Sequence, residues 1–292
     1  MTPQNALDRA AALSCFRAPT EVSRLDGGIT NVNVTVRDGD RRFVVRLGDD
    51  IPEHGVLRWN ELTLSRAAER AGISPGIFHH EPGVLVLEFI EAKTFEEADV
   101  RDAANLPRIV DLVAKSHRTL GRHLREPVLA FWPFQVNRTY VARLEAQGSA
   151  HRAKLPELMA EQDRLEAATG PVEIVIGHND LLAANILDDG ARLWLIDWEY
   201  GGFNTPLFDL AGLAGNNGLS EAQELAMLAQ YFGEAPEPRW RPYQAMKCVS
   251  LMRETLWSMT SEIHSDLDFD YGAYTAENME RLTAALADFR NA

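Results

Sequence analysis

The segment from residue 172 to residue 202, VEIVIGHNDLLAANILDDGARLWLIDWEYGG, constrains the fold more than any other part of the chain. An apolar run leads into a His-Asn-Asp tripeptide that ends at Asp180, and Asn185 follows five positions later. Asp197 comes after a pattern typical of a short hairpin. An Asp, an Asn and an Asp in this order around a hairpin are a much stronger signal than any one of them alone.

The hairpin pattern predicts where these polar side chains lie. The Asp189-Gly190 pair favours a turn between strands over 186–188 and 191–196, and the apolar run 172–176 predicts a third strand. Residues just outside two paired strands return to the same end of the hairpin. Asn185 and Asp197, which flank the two strands, are therefore expected to meet.

This arrangement is typical of phosphoryl transfer. An amide oxygen and a carboxylate are hard ligands suited to Mg²⁺, so Asn185 and Asp197 are predicted to hold the metal, with ATP phosphates and water completing its shell. Asp180, left free of the metal, can orient a substrate hydroxyl and accept its proton. Protein kinases keep the same spacing in H-R-D, four residues, Asn and a later metal-binding Asp. A purely structural role remains the alternative for each residue taken alone, above all for His178.

Residues 22–91 are strand-rich, with one helix among the strands. The segment VTVRDGDRRFVVRL predicts a hairpin with an Asp38-Gly39 loop, which would place Asn31 opposite Arg46 and Asn33 opposite Val44. Polar side chains would then occupy one face of the hairpin. The other face would carry an apolar set, which comprises Val32, Val34, Phe43 and Val45.

A helix is predicted from about residue 57 to residue 71, with Glu61 on its inward face, and residues 77–91 predict a second hairpin. Beyond Glu91 the apolar residues recur at helical spacing, with Gly121 as a candidate helix cap. The sequence therefore predicts an α+β chain with an N-terminal lobe over residues 1–91 and a C-terminal lobe over residues 92–292.

The composition restricts the kinds of binding partner and the cellular compartment that we expect for the protein. A formal net charge of −14 disfavours nucleic acid and favours cationic small molecules. The two cysteines, Cys15 and Cys248, have no metal-ligand or disulfide spacing, which fits a reducing compartment. No signal peptide or apolar stretch long enough for a bilayer is recognisable, so we expect a cytoplasmic protein without a membrane partner. The oligomeric state cannot be read from the sequence.

The quoted motifs resemble the choline/ethanolamine kinase and aminoglycoside phosphotransferase superfamily, especially bacterial choline-kinase-like proteins. The resemblance covers most of the chain, and its parts are LDGGITNVNV, FVVRL, the helix with Asn60-Glu61, LEFIEAKTF, HNDLLAANIL, LIDWEYGG with NTPLFDLAG, and LWSMTSEIHSDLDFDYGAY. It implies a two-lobed protein-kinase-like fold that binds ATP and Mg²⁺ in the cleft between a small β-rich lobe and a larger helical lobe.

The resemblance also implies roles on the nucleotide side. Arg46 is expected to contact phosphate, as a lysine does in protein kinases, and to pair with Glu61. A loop over the phosphates would be formed by Gly27, Gly28, Thr30 and Asn31. A hinge that binds adenine through its main chain would be formed by Glu88, Phe89 and Ile90.

The acceptor implied by the resemblance is choline or a related amino alcohol. An aromatic face attracts a quaternary ammonium group, and Trp257 matches a position that lines the choline pocket in the family. The predicted substrate residues, besides Asp180 and Trp257, are Glu199, Tyr200, Asp209, Asp270 and Tyr271, with Trp198 as a further neighbour. Core packing is an equal alternative for Trp257 and Tyr271. Other acceptors, such as an aminoglycoside or thiamine, and a pseudokinase that only binds nucleotide remain open.

Overall fold

Five antiparallel strands form the small lobe of the protein, seen in a computed structural model that describes residues 3–25, 31–233, 235–265 and 269–291. The sheet order is β1-β2-β3-β5-β4. Its strands are β1 (Pro19–Leu25), β2 (Val32–Asp38), β3 (Arg41–Leu47), β4 (Ile77–Glu81) and β5 (Val84–Glu88). Helix α1 (Pro3–Ala11) packs on one face and closes a small apolar core that includes Val34, Phe43 and Val45. The predicted apolar face of the first hairpin is thus confirmed.

The register of the β2–β3 hairpin differs from the predicted one. The loop is Gly39–Asp40 rather than Asp38–Gly39, so Asn33 rather than Asn31 faces Arg46. Gly39 has φ of 62°, whereas Asp40 keeps a negative φ, and a glycine at the first of two loop positions is typical of a type II′ turn. The shift is two residues, an even number, so each side chain stays on its predicted face.

The helix predicted before residue 71 is α2 (Arg58–Arg70), which packs beside the sheet. Its buried face contains Glu61, Leu64 and Ala68, as the spacing predicted. A carboxylate on this face costs free energy unless a cation pairs with it. The second predicted hairpin is β4–β5, in which Glu81 pairs with Val84.

The large lobe is mainly helical. Its helices are α3 (Glu97–Arg101), α4 (Asn105–His123), α5 (Pro133–Ala146), α6 (Leu155–Thr169), α7 (Pro206–Asn217), α8 (Glu221–Phe232), α9 (Glu237–His264) and α10 (Tyr271–Asn291). Helix α9 is the buried centre and packs against α5, α6, α7 and α10. The predicted cap at Gly121 is wrong, because α4 continues to His123. Gly121 lies inside the helix, where a glycine costs about 1 kcal/mol relative to alanine.

Short strands carry the predicted motif. They are β6 (Lys93–Thr94), β7 (Val175–Gly177), β8 (Ile186–Asp188), β9 (Leu193–Leu195) and β10 (Gly202–Asn204). The strand predicted over residues 172–176 is observed as β7, which is shorter and begins three residues later. Strand β9 begins at residue 193 rather than at residue 191. The reason for the later start is the Asp189 carboxylate, which accepts hydrogen bonds from the main-chain N–H groups of Ala191 and Arg192 and lengthens the turn to four residues.

The chain leaves the five-stranded sheet after Glu88 and pairs with β8 of the motif hairpin at Lys93. The boundary predicted after residue 91 lies between these two points and stays a prediction. Over the described ranges, none of the helices combines the length and the apolar character needed to cross a bilayer.

Candidate active site

Asp209 anchors the loop that carries Asp180. The Asp209 carboxylate accepts hydrogen bonds from the main-chain N–H groups of His178 and Asn179, each at 2.7 Å, and contacts His117 Nε2 at 2.8 Å. Burial by itself would raise the pKa of Asp209, but the hydrogen bonds from His117 and the His178 amide lower it below its usual value. Asp209 is 2% exposed and positions the loop that carries Asp180. Its predicted role in the acceptor pocket stays a prediction.

Asn179 completes this loop geometry. Its φ is 67°, a left-handed conformation that asparagine tolerates better than most residues. Its side-chain amide donates to the carbonyl of Tyr200 at 2.9 Å and so ties the loop to the segment after β9. The backbone at Asn179 is therefore fixed from both sides, and Asp180, half-buried, projects from a rigid support.

The motif hairpin brings Asn185 and Asp197 to one end, as predicted. The main-chain N–H of Ile196 donates to the carbonyl of Asn185 at 3.0 Å. The Asn185 amide donates to the Asp180 carbonyl at 2.9 Å and lies 3.4 Å from Asp180 Oδ2. This leaves the Asn185 side-chain oxygen as a possible ligand. Asp197 has φ of 69°, which is again the left-handed region that Asp and Asn enter most readily.

Arg46 reaches this end of the hairpin from β3. Its guanidinium lies 3.1 Å from Glu61 Oε1, 2.7 Å from Asp197 Oδ1 and 2.8 Å from Glu199 Oε2. The predicted pair with Glu61 is present. Burial would lower the pKa of Arg46, but the three carboxylates together raise it well above its usual range. One buried cation thus joins the small lobe to the motif hairpin.

Glu199 is also part of this ion cluster. It is 3% exposed, and its Oε2 accepts from Arg46, from Arg58 at 3.2 Å and from the Asn31 amide at 2.9 Å. Arg58 also donates to Glu61 at 2.6 Å. Asn31 and two arginines thus surround Glu199 Oε2, and the predicted contact of Glu199 with the acceptor stays a prediction.

Two carboxyl groups at the centre have raised pKa values. Burial raises the pKa of Asp180 to about 8; the positive charge of Arg253 opposes this shift, and Glu254, Asp197 and Glu199 add to it. Burial likewise raises the pKa of Asp197 to about 6, and Arg46 opposes the rise. Acidic groups held together in a desolvated place are a common property of active sites that bind cations.

The predicted acceptor residues divide into two groups. Trp257, Tyr200 and Tyr271 come together: Trp257 Nε1 donates to the Tyr200 hydroxyl at 2.9 Å, and the rings of Trp257 and Tyr271 are 6.0 Å apart. Trp198 and Asp270 do not join them. Trp198 is 1% exposed and donates to Ser74 in the core, and Asp270 is exposed and accepts the Ala273 N–H at the start of α10. The structure does not bring these two residues to Trp257, and their assignment to the pocket stays a prediction.

The residues predicted on the nucleotide side are placed only in part. Gly27, Gly28 and Thr30 lie outside the described residues. The main-chain N–H of Glu88 donates to Gly76 at 2.8 Å, and that of Phe89 donates to Arg42 at 3.1 Å. Within the proposed hinge, adenine would therefore have to bind the Ile90 amide or main-chain carbonyls.

The sequence did not point to three residues that lie around Tyr200 and Trp257: His54, Tyr140 and Arg253. Arg253 is 4% exposed, pairs with Glu254 at 2.7 Å and stacks 4.3 Å from the centre of the Tyr200 ring. It precedes Trp257 by four residues on α9, so helical spacing was a usable signal. No comparable signal existed for His54 and Tyr140, which meet across 86 residues of sequence.

A small antiparallel lobe, a helical lobe and an Asp-Asn-Asp hairpin between them define a phosphotransferase of protein-kinase-like fold that acts on an alcohol group. The family model for choline/ethanolamine kinase matches residues 22–217, well over half of the chain, and the protein belongs to that family. It is a small-molecule kinase that phosphorylates a hydroxyl group.

Similar proteins of known sequence or structure support the assignment to this family. Protein LicA of Haemophilus influenzae is 25% identical over 268 residues, with 88% of this chain and 97% of LicA covered. A choline/ethanolamine kinase family protein of Mesorhizobium loti has a structure with a TM-score of 0.79 and 26% identity, and both chains are covered fully. Choline kinase LicA of Streptococcus pneumoniae, at 21% identity, shares the fold with a TM-score of 0.79 over 98% of each chain.

Proposed function

We propose that the protein transfers the terminal phosphate of Mg-ATP to the hydroxyl group of a small amino alcohol, with choline and ethanolamine as the leading acceptors. The observation that carries the proposal is the meeting of Asp180, Asn185 and Asp197 at one end of the motif hairpin, facing the buried Arg46. Membership of a family named for choline and ethanolamine supports the acceptor class, and the S. pneumoniae relative is itself named a choline kinase.

The side chains fit a magnesium ion held by Asn185 and Asp197. Asp197 Oδ1 is buried and has no aligned hydrogen-bond donor, although Arg46 lies close to it. Among the described residues no group of three or more His, Cys, Asp or Glu forms a metal cage. Two protein ligands suit Mg²⁺, which keeps several waters and shares the oxygens of ATP. Bound there, Mg²⁺ would neutralise phosphate charge.

Asp180 is placed to orient the acceptor hydroxyl and accept its proton. A pKa of about 8 makes its ionised form a stronger base than an ordinary aspartate, and the charge of Arg253 limits the rise, so part of the population is ionised at neutral pH. The hydrogen bond from Asn185 to the Asp180 carbonyl fixes the loop, so the carboxylate is oriented before the acceptor binds.

Arg46→Ala is expected to raise the KM for ATP and lower kcat together, because a phosphate clamp acts in both the ground and the transition state. The change also breaks the ion pairs of Arg46 with three carboxylates, of which Glu61 and Glu199 keep Arg58, so the loss of stability should not exceed about 3–5 kcal/mol, the cost of a broken buried pair. Arg46→Lys is the matched variant, since it keeps one charge but cannot bridge all three partners. Steady-state kinetics and thermal unfolding of both variants separate the roles: a lower Tm with unchanged kinetics would make Arg46 purely structural.

The acceptor is tested by ADP release from Mg-ATP over a panel of amino alcohols, aminoglycosides and vitamins such as thiamine. We expect the highest kcat/KM with choline or ethanolamine, and no ADP release without an acceptor hydroxyl beyond slow hydrolysis. A higher kcat/KM with an aminoglycoside or thiamine would show that the proposed acceptor class is wrong, whereas the proposed phosphoryl transfer to a hydroxyl group would stand. Nucleotide binding without transfer to any alcohol would contradict the proposed activity.

A further inference from the structure

The loop between β3 and α2, residues 48–57, extends from the small lobe to the large lobe. An antiparallel bridge closes it, with the N–H of Ile51 donating to Val56 O at 2.9 Å and the reverse bond at 3.1 Å. Arg143 of α5 donates to the carbonyls of Pro52, at 3.2 Å, and Glu53. The loop is thus fixed at its base and docked on α5, and His54 lies at its tip.

His54 covers the ring that was predicted to meet the acceptor. Its imidazole stacks on Trp257 with ring centres 4.9 Å apart and an angle of 29° between the planes. Its Nδ1 lies 3.3 Å from the Tyr140 hydroxyl and its Nε2 lies 3.1 Å from Ser261 Oγ. Both ring nitrogens therefore have partners on the large lobe, and this face of Trp257 is closed to a ligand while His54 stays in place.

A cavity of about 190 Å³ lies on the open side of His54, between the lobes. Four of the residues that line it are aromatic: His54, Phe131, Tyr140 and Tyr200. Its charged lining residues are Glu53, Glu199 and Arg143. Tyr200, which lines the cavity, accepts a hydrogen bond from the Asn179 side chain at its carbonyl, so the cavity lies near the loop that carries Asp180. Such a space is small enough to discriminate between head groups that differ by a methyl group.

We propose that this interlobe cavity receives the head group of the acceptor alcohol and that His54 sets the size of the head group admitted. The inference rests on the proposed function, because it assumes that the acceptor is an amino alcohol. The charge of His54 fits the assignment: burial, with Arg253 and Arg143 nearby, lowers the pKa of His54 to about 3. The imidazole is therefore neutral at physiological pH and adds no positive charge to that of Arg143, while Glu53 and Glu199 supply two carboxyl groups to the same cavity.

The test compares kcat/KM for ethanolamine, its N-methyl and N,N-dimethyl derivatives, and choline. His54→Ala enlarges the cavity, so the choline-to-ethanolamine ratio of kcat/KM should rise at least about tenfold, the lower end of the discrimination that one methylene provides. His54→Phe keeps a ring over Trp257 and adds bulk, so the same ratio should fall. The KM for ATP should change by less than about twofold in either variant, because the nucleotide side is not touched.

Ser261→Ala is the matched control, since it removes one hydrogen-bond partner of His54 and leaves the cavity walls in place. Its acceptor ratio should equal that of the wild type. A uniform loss of kcat/KM for every acceptor in both His54 variants would overturn the proposal and make the residue structural. His54→Phe alone decides the question if His54→Ala does not fold. If the wild type uses none of the four amino alcohols, the proposed function has failed, and the same variants decide the role of His54 with two analogues of the true acceptor that differ by one methyl group.

Discussion

Asp180→Asn should lower kcat by at least about a hundredfold and leave ATP affinity close to that of the wild type. Asparagine has the same shape as aspartate but cannot accept the proton of the acceptor hydroxyl at neutral pH. The loop should survive the change, because Asp209 holds it through the amides of His178 and Asn179, and Asn185 binds the main-chain carbonyl of residue 180. Initial rates at saturating ATP and acceptor, together with a nucleotide-binding titration, measure the two effects separately.

A matched control for this variant is Asp163→Asn, which removes an exposed carboxylate of α6. It makes the same chemical change at an exposed position and should keep the wild-type kcat. If Asp180→Asn turned over as fast as the control, Asp180 would not be the base. Equal loss of ATP affinity and kcat would instead indicate that the change had disturbed the whole cleft.

Local patterns predicted the parts of the fold that depend on residues close in sequence. The motif hairpin could be placed because Asn185 and Asp197 flank two short strands, and antiparallel pairing returns flanking residues to one end. Glu61 was placed on the buried face of α2 by its spacing from Leu64 and Ala68. The pair between Arg46 and Glu61 was implied by the family resemblance, and the cost of leaving either charge buried alone supported it.

Turn details were less predictable, because two neighbouring residues can both favour a loop. Asp38-Gly39 and Gly39-Asp40 each satisfy a preferred hairpin turn, and the choice was made by contacts outside the hairpin. The Asp38 carboxylate accepts from the main-chain N–H groups of Arg17 and Ala18, which keeps Asp38 at the end of β2. Nothing within the hairpin sequence indicates that contact.

The acceptor side could be predicted least, because it depends on residues far apart in the chain. Glu199 and Asp209 are acidic residues near the metal motif, and the sequence alone could not show that one pairs with arginines of the small lobe and the other holds a loop. His54 reaches Ser261 across 207 residues. Contacts of this kind depend on how the two lobes pack against each other. They therefore produce no periodic pattern of residues in the sequence.

Asp197→Ala and Asp197→Asn should both abolish the dependence of nucleotide binding on Mg²⁺, with a loss of at least about tenfold in the affinity gained from the metal, equivalent to ~1.4 kcal/mol. Asp197 is the one charged side chain among the proposed ligands. The pair of variants separates charge from backbone effects. Asp197 has φ of 69°, where alanine is strained by on the order of 1 kcal/mol, whereas asparagine enters this region readily.

Loss of the metal response, rather than unfolding, is expected from Asp197→Asn because Arg46 keeps two buried partners, Glu61 and Glu199. Asp188→Asn is the control: it removes a carboxylate of the same hairpin that pairs with Arg108 at 2.7 Å, and should leave the Mg²⁺ response intact. Titrations of ATP with and without MgCl₂ distinguish the variants. An Asp197→Asn protein whose ATP affinity rises with Mg²⁺ as much as that of the wild type would show that this carboxylate is not the metal ligand, and that its place beside Arg46 is only an ion pair between the lobes.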